Sequence, residues 1–238
     1  MIKAIIIGAT SGIGKGLALK LAEENYKVGI TGRRTQLLDD LKYQKPDLFY
    51  PKTFDITESK KIVENLEDLT KQLGGLDLLI ISSGTGDLND DLDYEIEKST
   101  IETNIVGFTS IANWAFKFFE NQKAGHLVVI TSVGGLRGSR IAPAYNASKS
   151  FQINYVEGLR QKANKLETQI FVTDIRPGFV DTAMAKGEGQ FWKASVDKAT
   201  NQILDAIKRK KKVVYVTKRW NIIGIILKII PRQIYDRM

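Results

Sequence analysis

The chain has 238 residues, 43% of them hydrophobic, and this length suits one α/β domain with a substantial core. Its 35 basic and 27 acidic residues give a net charge of +8, and the absence of cysteine excludes disulfides and cysteine-ligated metal sites. The start MIKAIIIG has too short an apolar run for a signal peptide, so together with the lack of cysteine it favours a cytoplasmic protein.

Apolar runs alternate with amphipathic stretches along the whole chain. Strands separated by helices are typical of a doubly wound parallel sheet with helices on both faces. We therefore predict a single-domain, Rossmann-like α/β fold with about seven strands. The predicted strands are 2–7, 27–31, 50–54, 76–82, 126–131, 168–175 and 212–216, and the main helices are 14–25, 58–73, 95–120, 144–165 and 195–209.

A glycine-rich turn joins the first strand to the first helix. Glycines let a backbone approach a pyrophosphate closely, and the free N–H groups and positive dipole at a helix start favour phosphate. The same kind of turn also simply closes a tight strand–helix corner, so alone it is weak support for a nucleotide site. The turn contains Gly8, Thr10, Ser11, Gly12, Ile13 and Gly14 in the spacing GxxxGxG.

Tyr145 and Lys149 lie four residues apart in APAYNASKS, and Ser132 ends the apolar run HLVVITS. On a helix over 144–160, this spacing places the tyrosine and the lysine on one face. A neighbouring ammonium favours the phenolate and lowers the tyrosine pKa toward neutrality, which suits proton transfer at a hydroxyl or carbonyl oxygen. Ser132 would hydrogen-bond the same oxygen. A solvated helix face also commonly carries Tyr and Lys at this spacing.

Together these features resemble the short-chain dehydrogenase/reductase family over residues 2–217. The resemblance implies that Tyr145 is the acid/base, that Lys149 binds the nicotinamide ribose and lowers the tyrosine pKa, and that Ser132 positions the substrate oxygen. It implies also that Asn104, in ETNIVG, holds a water in a proton relay. The matching positions are Gly8, Gly12 and Gly14, the tetrad Asn104, Ser132, Tyr145 and Lys149, the turn Pro177-Gly178, and Thr182 as the contact of the nicotinamide carboxamide.

The segment after the fourth strand departs from the family pattern. The family has Asn-Asn-Ala-Gly there, whereas this chain has Ile81-Ser82-Ser83-Gly84. Gly84 still lets the backbone approach the ribose, but the side-chain roles of the two asparagines have no counterpart. We interpret this as variation within the family, because the tetrad is intact.

The end of the second strand predicts the cofactor. An NAD-preferring site often has a carboxylate there for the ribose 2′-hydroxyl. Here Gly32 is followed by Arg33 and Arg34, and a guanidinium suits the 2′-phosphate of NADP. We predict NADP(H) over NAD, with Arg33 as the main contact and Thr31 or Arg34 assisting; the alternative is two solvated arginines at a helix start. Asp55 matches the family's adenine contact, or else caps the next helix.

The implied reaction is hydride transfer between nicotinamide and a carbonyl or alcohol, with Tyr145 carrying the proton and no metal required. The single histidine, His126, has no patterned carboxylate and is interpreted as a strand-edge residue. An alternative of another class is a dinucleotide-binding redox sensor or scaffold with little turnover. Family resemblance also implies a homodimer or homotetramer built through the helices that bear Asn104 and Tyr145.

The segment after Gly178 predicts a substrate pocket for a moderately hydrophobic ketone, aldehyde or alcohol. Alternatively, its aromatic residues only pack a lid onto the core. Arg137 and Arg140 lie close to Tyr145 in the sequence, so a substrate with a carboxylate or phosphate group remains an alternative. The expected lining residues are Leu136, Met184, Phe191 and Trp192, with Gly187 and Gly189 as a lid hinge.

Residues 218–238 are predicted to form a hydrophobic, basic and helical extension of the 1–217 domain. The apolar run is too short to span a membrane, which needs ~20 residues. Its isoleucines fall at helical spacing among basic residues, so the helix could lie in a membrane interface, cover a neighbouring subunit or close over the substrate site. The basic run 208–212 ends a helix and lacks aromatic partners, so we expect no nucleic-acid partner.

Overall fold

In the computed structural model of this protein, which describes residues 1–185 and 191–237, seven parallel strands form one sheet in the order β3-β2-β1-β4-β5-β6-β7. The strands are β1 (Lys3–Ile7), β2 (Lys27–Gly32), β3 (Phe49–Thr53), β4 (Leu78–Ile81), β5 (Ala124–Ile130), β6 (Gln169–Pro177) and β7 (Val213–Val216). The helices are α1 (Gly12–Glu23), α2 (Thr35–Gln44), α3 (Ser59–Leu73), α4 (Tyr94–Ile101), α5 (Phe108–Gln122), α6 (Pro143–Lys165), α7 (Val196–Lys208), α8 (Trp220–Ile229) and α9 (Arg232–Tyr235).

The strands form because their apolar runs are buried on both faces of the sheet. In β1, Ala4 and Ile6 face one helical layer, while Ile5 and Ile7 face the other, and all four are fully buried. The first layer contains α1, α2 and α7, and the second contains α3, α5 and α6. This two-sided burial explains why the strands are continuously apolar instead of alternating. The predicted Rossmann-like, doubly wound fold is confirmed.

The order of the strands places a crevice at one edge of the sheet. β1 and β4 are neighbours, although the chain passes through β2 and β3 between them. The connection after β1 therefore runs toward one side of the sheet and the connection after β4 toward the other. In such folds, ligands bind in the crevice at the carboxyl ends of these two strands. Gly8 follows β1, Ser82 follows β4, and Ser132 lies just beyond β5, so all three lie at this edge.

The predicted helix over 95–120 is interrupted. Between α4 and α5, residues Glu102–Gly107 form a π-helical turn, a wider coil that is frequent at functional sites. Gly107 packs against the backbone of Ile56, where a Cβ would lie 2.4 Å from the carbonyl oxygen. Asn104, in the middle of this turn, is completely buried. The interruption therefore depends on contacts with distant parts of the chain.

The basic run 208–212 lies at the amino end of β7, at the sheet edge opposite the crevice. Lys208 pairs with Glu24, and Arg209 pairs with Asp205 at 2.7 Å, so part of its charge is neutralised by neighbouring carboxylates. None of the helices within residues 1–185 and 191–237 has the length and apolar character needed to cross a membrane.

His126 is an interior residue of a central strand, which corrects its interpretation as a strand-edge residue. Its Nε2 lies 2.8 Å from Thr173 Oγ1, and that hydroxyl donates its single proton to the Lys211 carbonyl. The imidazole therefore carries its proton on Nε2 and donates to Thr173. Burial, and secondarily the charge of Lys210, lowers the pKa of His126 to about 4.

The His126→Gln variant should lose less stability in acid than the wild type. In the unfolded chain the imidazole titrates near pH ~6.5, so between pH ~6.5 and ~4 the unfolded state binds a proton that the folded state does not. The stability that depends on neutral His126 is complete above this window and declines by about 3 kcal/mol as the pH falls through it. Glutamine keeps a donor for Thr173 and does not titrate. Urea unfolding at pH 7 and pH 4.5 measures the difference; equal acid losses in both proteins would contradict it.

Candidate active site

A cavity of about 880 Å³ opens at the carboxyl ends of the strands, a volume within the range of small-ligand pockets. Four of the expected site residues, Gly14, Asn104, Leu136 and Trp192, do not line it. Those that line it are Gly8, Thr10, Ser11, Gly12, Ile13, Arg33, Arg34, Asp55, Gly84, Ser132, Tyr145, Lys149, Pro177, Gly178, Thr182, Met184 and Phe191.

The glycine turn between β1 and α1 is shaped for close backbone approach. Gly8 and Gly12 have φ angles of +88° and +54°, a region that favours glycine. Gly14 faces inward, where a Cβ would lie 2.0 Å from the Gly8 carbonyl oxygen, so this glycine lets α1 pack onto the turn. The first turn of α1 has no acidic residue, and its N-terminal dipole is therefore available to an anion at the cavity wall.

The two arginines after β2 have different partners. Arg34 Nη2 donates to Thr10 Oγ1 at 2.6 Å and to Ser11 Oγ at 2.9 Å, directly on the glycine turn. Arg33, whose side chain is 73% exposed, pairs with Asp55 at 3.4 Å. Both guanidinium groups border the same end of the cavity, which gives that end a positive charge.

Asp55 lines the cavity and also stabilises the turn that precedes α3. Its Oδ1 accepts from the backbone N–H and the hydroxyl of Thr57, both at 2.9 Å. Burial raises the pKa of Asp55, but the Thr57 hydrogen bonds and the Arg33 charge outweigh this effect and hold the pKa below its usual value. The carboxylate is therefore ionised at neutral pH beside Arg33.

Ser132 and Tyr145 meet at the opposite end of the cavity. Pro143 occupies the first turn of α6, where its missing N–H costs nothing, and Tyr145 follows in the same turn. The tyrosine ring covers Gly86, where a Cβ would lie 2.2 Å from a ring atom. Burial raises the pKa of Tyr145, and a hydrogen bond with Ser132 reverses only part of that rise. The phenol is therefore protonated at neutral pH.

The expected lowering of the Tyr145 pKa by Lys149 is absent from this structure. Lys149 Nζ lies 5.9 Å from the centre of the tyrosine ring. It donates instead to the Ile130 carbonyl at 3.1 Å and to Gln152 Oε1 at 3.0 Å. Burial lowers the pKa of Lys149 to about 8, while the charge of Asp174 acts in the opposite direction.

Gln152 is a site residue that the motif does not reveal. It is buried in α6, and its Nε2 donates to the Asn104 carbonyl at 2.9 Å while its Oε1 accepts from Lys149. Gln152 thus links Lys149 to the carbonyl of Asn104, the residue that the family resemblance expects to hold a water. Gln152 lies in an i, i+4 series with Ala144, Ser148 and Val156, which are all buried, and this spacing is the signal in the sequence that could have placed the glutamine on the inward face.

Asn104 acts through its neighbours. Its Oδ1 accepts from Thr85 N at 2.9 Å, and its Nδ2 donates to the Thr85 carbonyl and to Ser148 Oγ. These bonds fix the loop after β4 against α6, which places Gly84 beside Lys149 and Gly86 beside Tyr145. Asn104 itself has no surface in the cavity.

Comparison with known proteins decides the family. The family model described as short chain dehydrogenase matches residues 3–191. The chain belongs to this family. An uncharacterized oxidoreductase of Myxococcus xanthus is 33% identical over 186 residues, which is 76% of this chain and 73% of that protein.

Solved structures agree on the fold. The structure of ElxO with NADP bound has a TM-score of 0.79 at 21% identity and covers 90% of this chain and 96% of its own. A short-chain dehydrogenase/reductase from Burkholderia phymatum in complex with NAD has a TM-score of 0.84 at 17% identity, with coverages of 94% and 92%.

Ser82, which stands where the family has asparagine, and Ser83, which stands where it has alanine, pack against the glycine turn. A Cβ on Gly8 would lie 2.8 Å from the Ser83 backbone, and one on Gly14 would lie 3.2 Å from Ser82 Oγ. Gly84 lies against Lys149, since a Cβ there would be 3.4 Å from Nζ. Small side chains at 82–84 therefore let the turn, the loop and the lysine approach one another.

The carboxyl-terminal extension supplies one wall of the cavity, a role that the sequence left open. Trp220, at the start of α8, lines the cavity and stacks on Phe191 with ring centres 5.1 Å apart. Phe179 meets the same indole edge-on at 5.4 Å. The indole also lies on Gly178, where any Cβ would overlap it.

Two expectations about the lining of the substrate pocket are corrected. Leu136 lies at the end of the 3₁₀ turn Val133–Leu136 and does not line the cavity, whereas Val133, at the start of that turn, does. Trp192 stands behind Phe191 and Trp220 at centre distances of 5.5 and 6.3 Å.

Arg137 is unavailable to a substrate, because it donates to the Leu227 and Ile230 carbonyls, both at 2.6 Å. The expected hinge glycines Gly187 and Gly189 lie outside the described residues.

The Gln152→Leu variant should lower the pKa of Lys149 below about 8. Leucine removes one of the two acceptors that favour the ammonium, and it leaves the Asn104 carbonyl without its donor. In Gln152→Glu, a carboxylate beside the ammonium should raise the pKa instead. NMR titration of ¹³Cε-labelled lysine, assigned with Lys149→Met, measures both shifts. An unchanged Lys149 pKa in the folded leucine variant would show that Gln152 does not act on the lysine.

Proposed function

We propose that this protein is a cytoplasmic NADP-dependent oxidoreductase that transfers a hydride between nicotinamide and a carbonyl or alcohol of a small, moderately hydrophobic substrate. The observation that carries the proposal is the position of Ser132 and Tyr145 at one end of a continuous cavity whose other end is the glycine turn. One cavity thus combines a proton-transfer pair with a phosphate-binding turn.

The residues present fit a dinucleotide. The turn at Gly8 and Gly12 admits backbone contact with a pyrophosphate, and α1 directs its N-terminal N–H groups to the same place. Pro177-Gly178 and Thr182 line the same cavity, and Thr182 lies beside Gly12; a nicotinamide carboxamide would bind at Thr182. The bound cofactor would supply the hydride, and the chain would supply binding, orientation and the proton.

Arg33 and Arg34 support the preference for NADP. The end of β2 is Gly32, so no carboxylate is placed there for a ribose 2′-hydroxyl, and two guanidinium groups border this end of the cavity. A 2′-phosphate can accept from Arg33, while Arg34 is held toward the turn by Thr10 and Ser11. The NADP-bound structure of ElxO accords with this preference, and the NAD-bound protein from Burkholderia phymatum shows that the fold also accepts NAD.

The protonation state of Tyr145 favours carbonyl reduction. Because burial raises its pKa, the phenol holds a proton at neutral pH and can donate it to a substrate oxygen. Ser132 hydrogen-bonds the phenol and would bind the same oxygen. Lys149, with a pKa of about 8, is mostly an ammonium at pH 7, and its place on the cavity wall suits a ribose hydroxyl.

The walls around Tyr145 suit an apolar substrate. Met184, Phe191 and Trp220 present thioether and aromatic surface, and Ile141 adds an aliphatic contact. A ketone or aldehyde with an apolar body fits this distribution better than an anionic substrate.

We also propose a homodimer or homotetramer built through the helices that bear Asn104 and Tyr145. Apolar side chains on these helices are exposed: Ile101 on α4, Val106 on the π-helical turn and Phe151 on α6. Phe151 extends an aromatic cluster with Phe108 and Tyr155 to the surface. Exposed apolar groups that continue a buried cluster are typical of subunit contacts.

The Arg33→Ala variant should bind NADPH about tenfold or more weakly than the wild type, because a charge-assisted hydrogen bond to the 2′-phosphate is lost. NADH, which lacks this phosphate, should bind nearly as before. Quenching of tryptophan fluorescence, with Trp220 in the cavity wall, reports both affinities. Arg209→Ala, which removes an equal charge at the sheet edge opposite the crevice, is the matched control. Equal losses for both cofactors would contradict the NADP assignment, and binding of neither cofactor by the wild type would contradict the proposed function.

A further inference from the structure

Helix α8 has one buried face and one exposed apolar face. Its residues Trp220 and Gly224 are buried, the latter against the ring of Tyr215. The outward side chains recur at intervals of three and four, so they form a single stripe along the helix. This isoleucine face consists of Ile222 (58% exposed), Ile225 (52%), Ile226 (46%) and Ile229 (73%), continued on α9 by Ile234 (56%).

The isoleucine face is held in a fixed orientation. Arg137 caps the carboxyl end of α8 through the Leu227 and Ile230 carbonyls, and its guanidinium lies over the Tyr235 ring. Tyr235 in turn donates to the Gly138 carbonyl at 2.6 Å. The carboxyl end of α8 and the end of α9 are thus both tied to the loop that follows Ser132. The exposed isoleucines are therefore presented by an anchored element.

Positive charge surrounds this face. Lys218, Arg219, Lys228 and Arg232 are exposed around it, and the sequence from 206 to 235 contains no acidic residue. An apolar stripe flanked by lysine and arginine is the arrangement that binds the interface of an anionic bilayer, where apolar side chains enter the acyl boundary and basic ones meet the headgroups. We propose that the isoleucine face docks the protein on an anionic lipid surface.

Size and charge favour a lipid surface over a second copy of the chain. A ten-residue helix is about 15 Å long and about 10 Å wide, so its exposed face is well below the ~800 Å² per partner of a stable dimer. A symmetric pairing of two such faces would also bring Lys228 and Arg232 toward the same basic residues of the second copy, where like charges repel. A bilayer has neither restriction, because it is continuous and its headgroups supply the opposite charge.

Docking would bring one cavity wall to the lipid interface. Trp220, on the inner face of α8, lines the cavity, so the wall it forms would lie one helix away from the lipid. The docking itself does not depend on the proposed chemistry, since it rests on the outer face of the helix alone.

Co-sedimentation of the full chain with vesicles tests the proposal. The probe is a vesicle of phosphatidylcholine with about 30% phosphatidylglycerol, an anionic lipid. The wild type should bind these vesicles and should bind vesicles of pure phosphatidylcholine much less. Ile225→Glu/Ile229→Glu should reduce the binding to anionic vesicles about tenfold or more. The matched control Ile2→Glu/Val63→Glu replaces two apolar residues of 46% and 41% exposure elsewhere and should bind like the wild type.

Three results would overturn the docking surface. They are no binding of the wild type to anionic vesicles, equal losses in the two double variants, and a change of oligomeric state in Ile225→Glu/Ile229→Glu, which would assign the face to a subunit contact. NADPH binding, measured on the same samples, should be unchanged in both variants. It separates a failure of the docking surface from a failure of the proposed function and shows that the variants are folded.

Discussion

The enclosed ammonium of Lys149 is the constraint around which the site is built. A buried cation is costly unless it is hydrogen-bonded and balanced by opposite charge. Here the Ile130 carbonyl and Gln152 accept from it, and Asp174 supplies a negative field that favours its charge. Because the first acceptor belongs to β5 and the second to α6, the lysine fixes the helix that carries Tyr145 at the end of the strand that precedes Ser132.

The hydrogen bonds continue from this lysine to the rest of the cavity. Gln152 donates to the Asn104 carbonyl, and the Asn104 side chain forms hydrogen bonds with the backbone N–H and the carbonyl of Thr85. The loop after β4 is thereby fixed beside Tyr145. The Gln152 side chain therefore links the lysine to the π-helical turn directly. On the far side, Arg137 binds the carboxyl-terminal helix to the same region, so the site and the extension form one packed unit.

Local patterns made much of the molecule predictable, and tertiary contacts explain the rest. The seven strands followed from apolar runs buried on two faces, and the glycine turn from its place at a strand–helix junction. The π-helical turn at 102–107, the inward Gln152 and the capping of α8 by Arg137 each depend on partners distant in the chain. Leu136 and Trp192 were misplaced because apolar character does not tell which side of a loop faces a cavity.

The central claim, that Tyr145 is the acid of a carbonyl-reducing enzyme, is tested most directly by NADPH oxidation with a panel of apolar ketones and aldehydes. The wild type should turn over at least one of them. Tyr145→Phe should bind NADPH as tightly but lose about 100-fold or more in turnover, because the phenylalanine ring has no proton to donate. Undiminished turnover in Tyr145→Phe would contradict the claim. So would tight NADPH binding by the wild type without any turnover, which is the behaviour of a redox sensor.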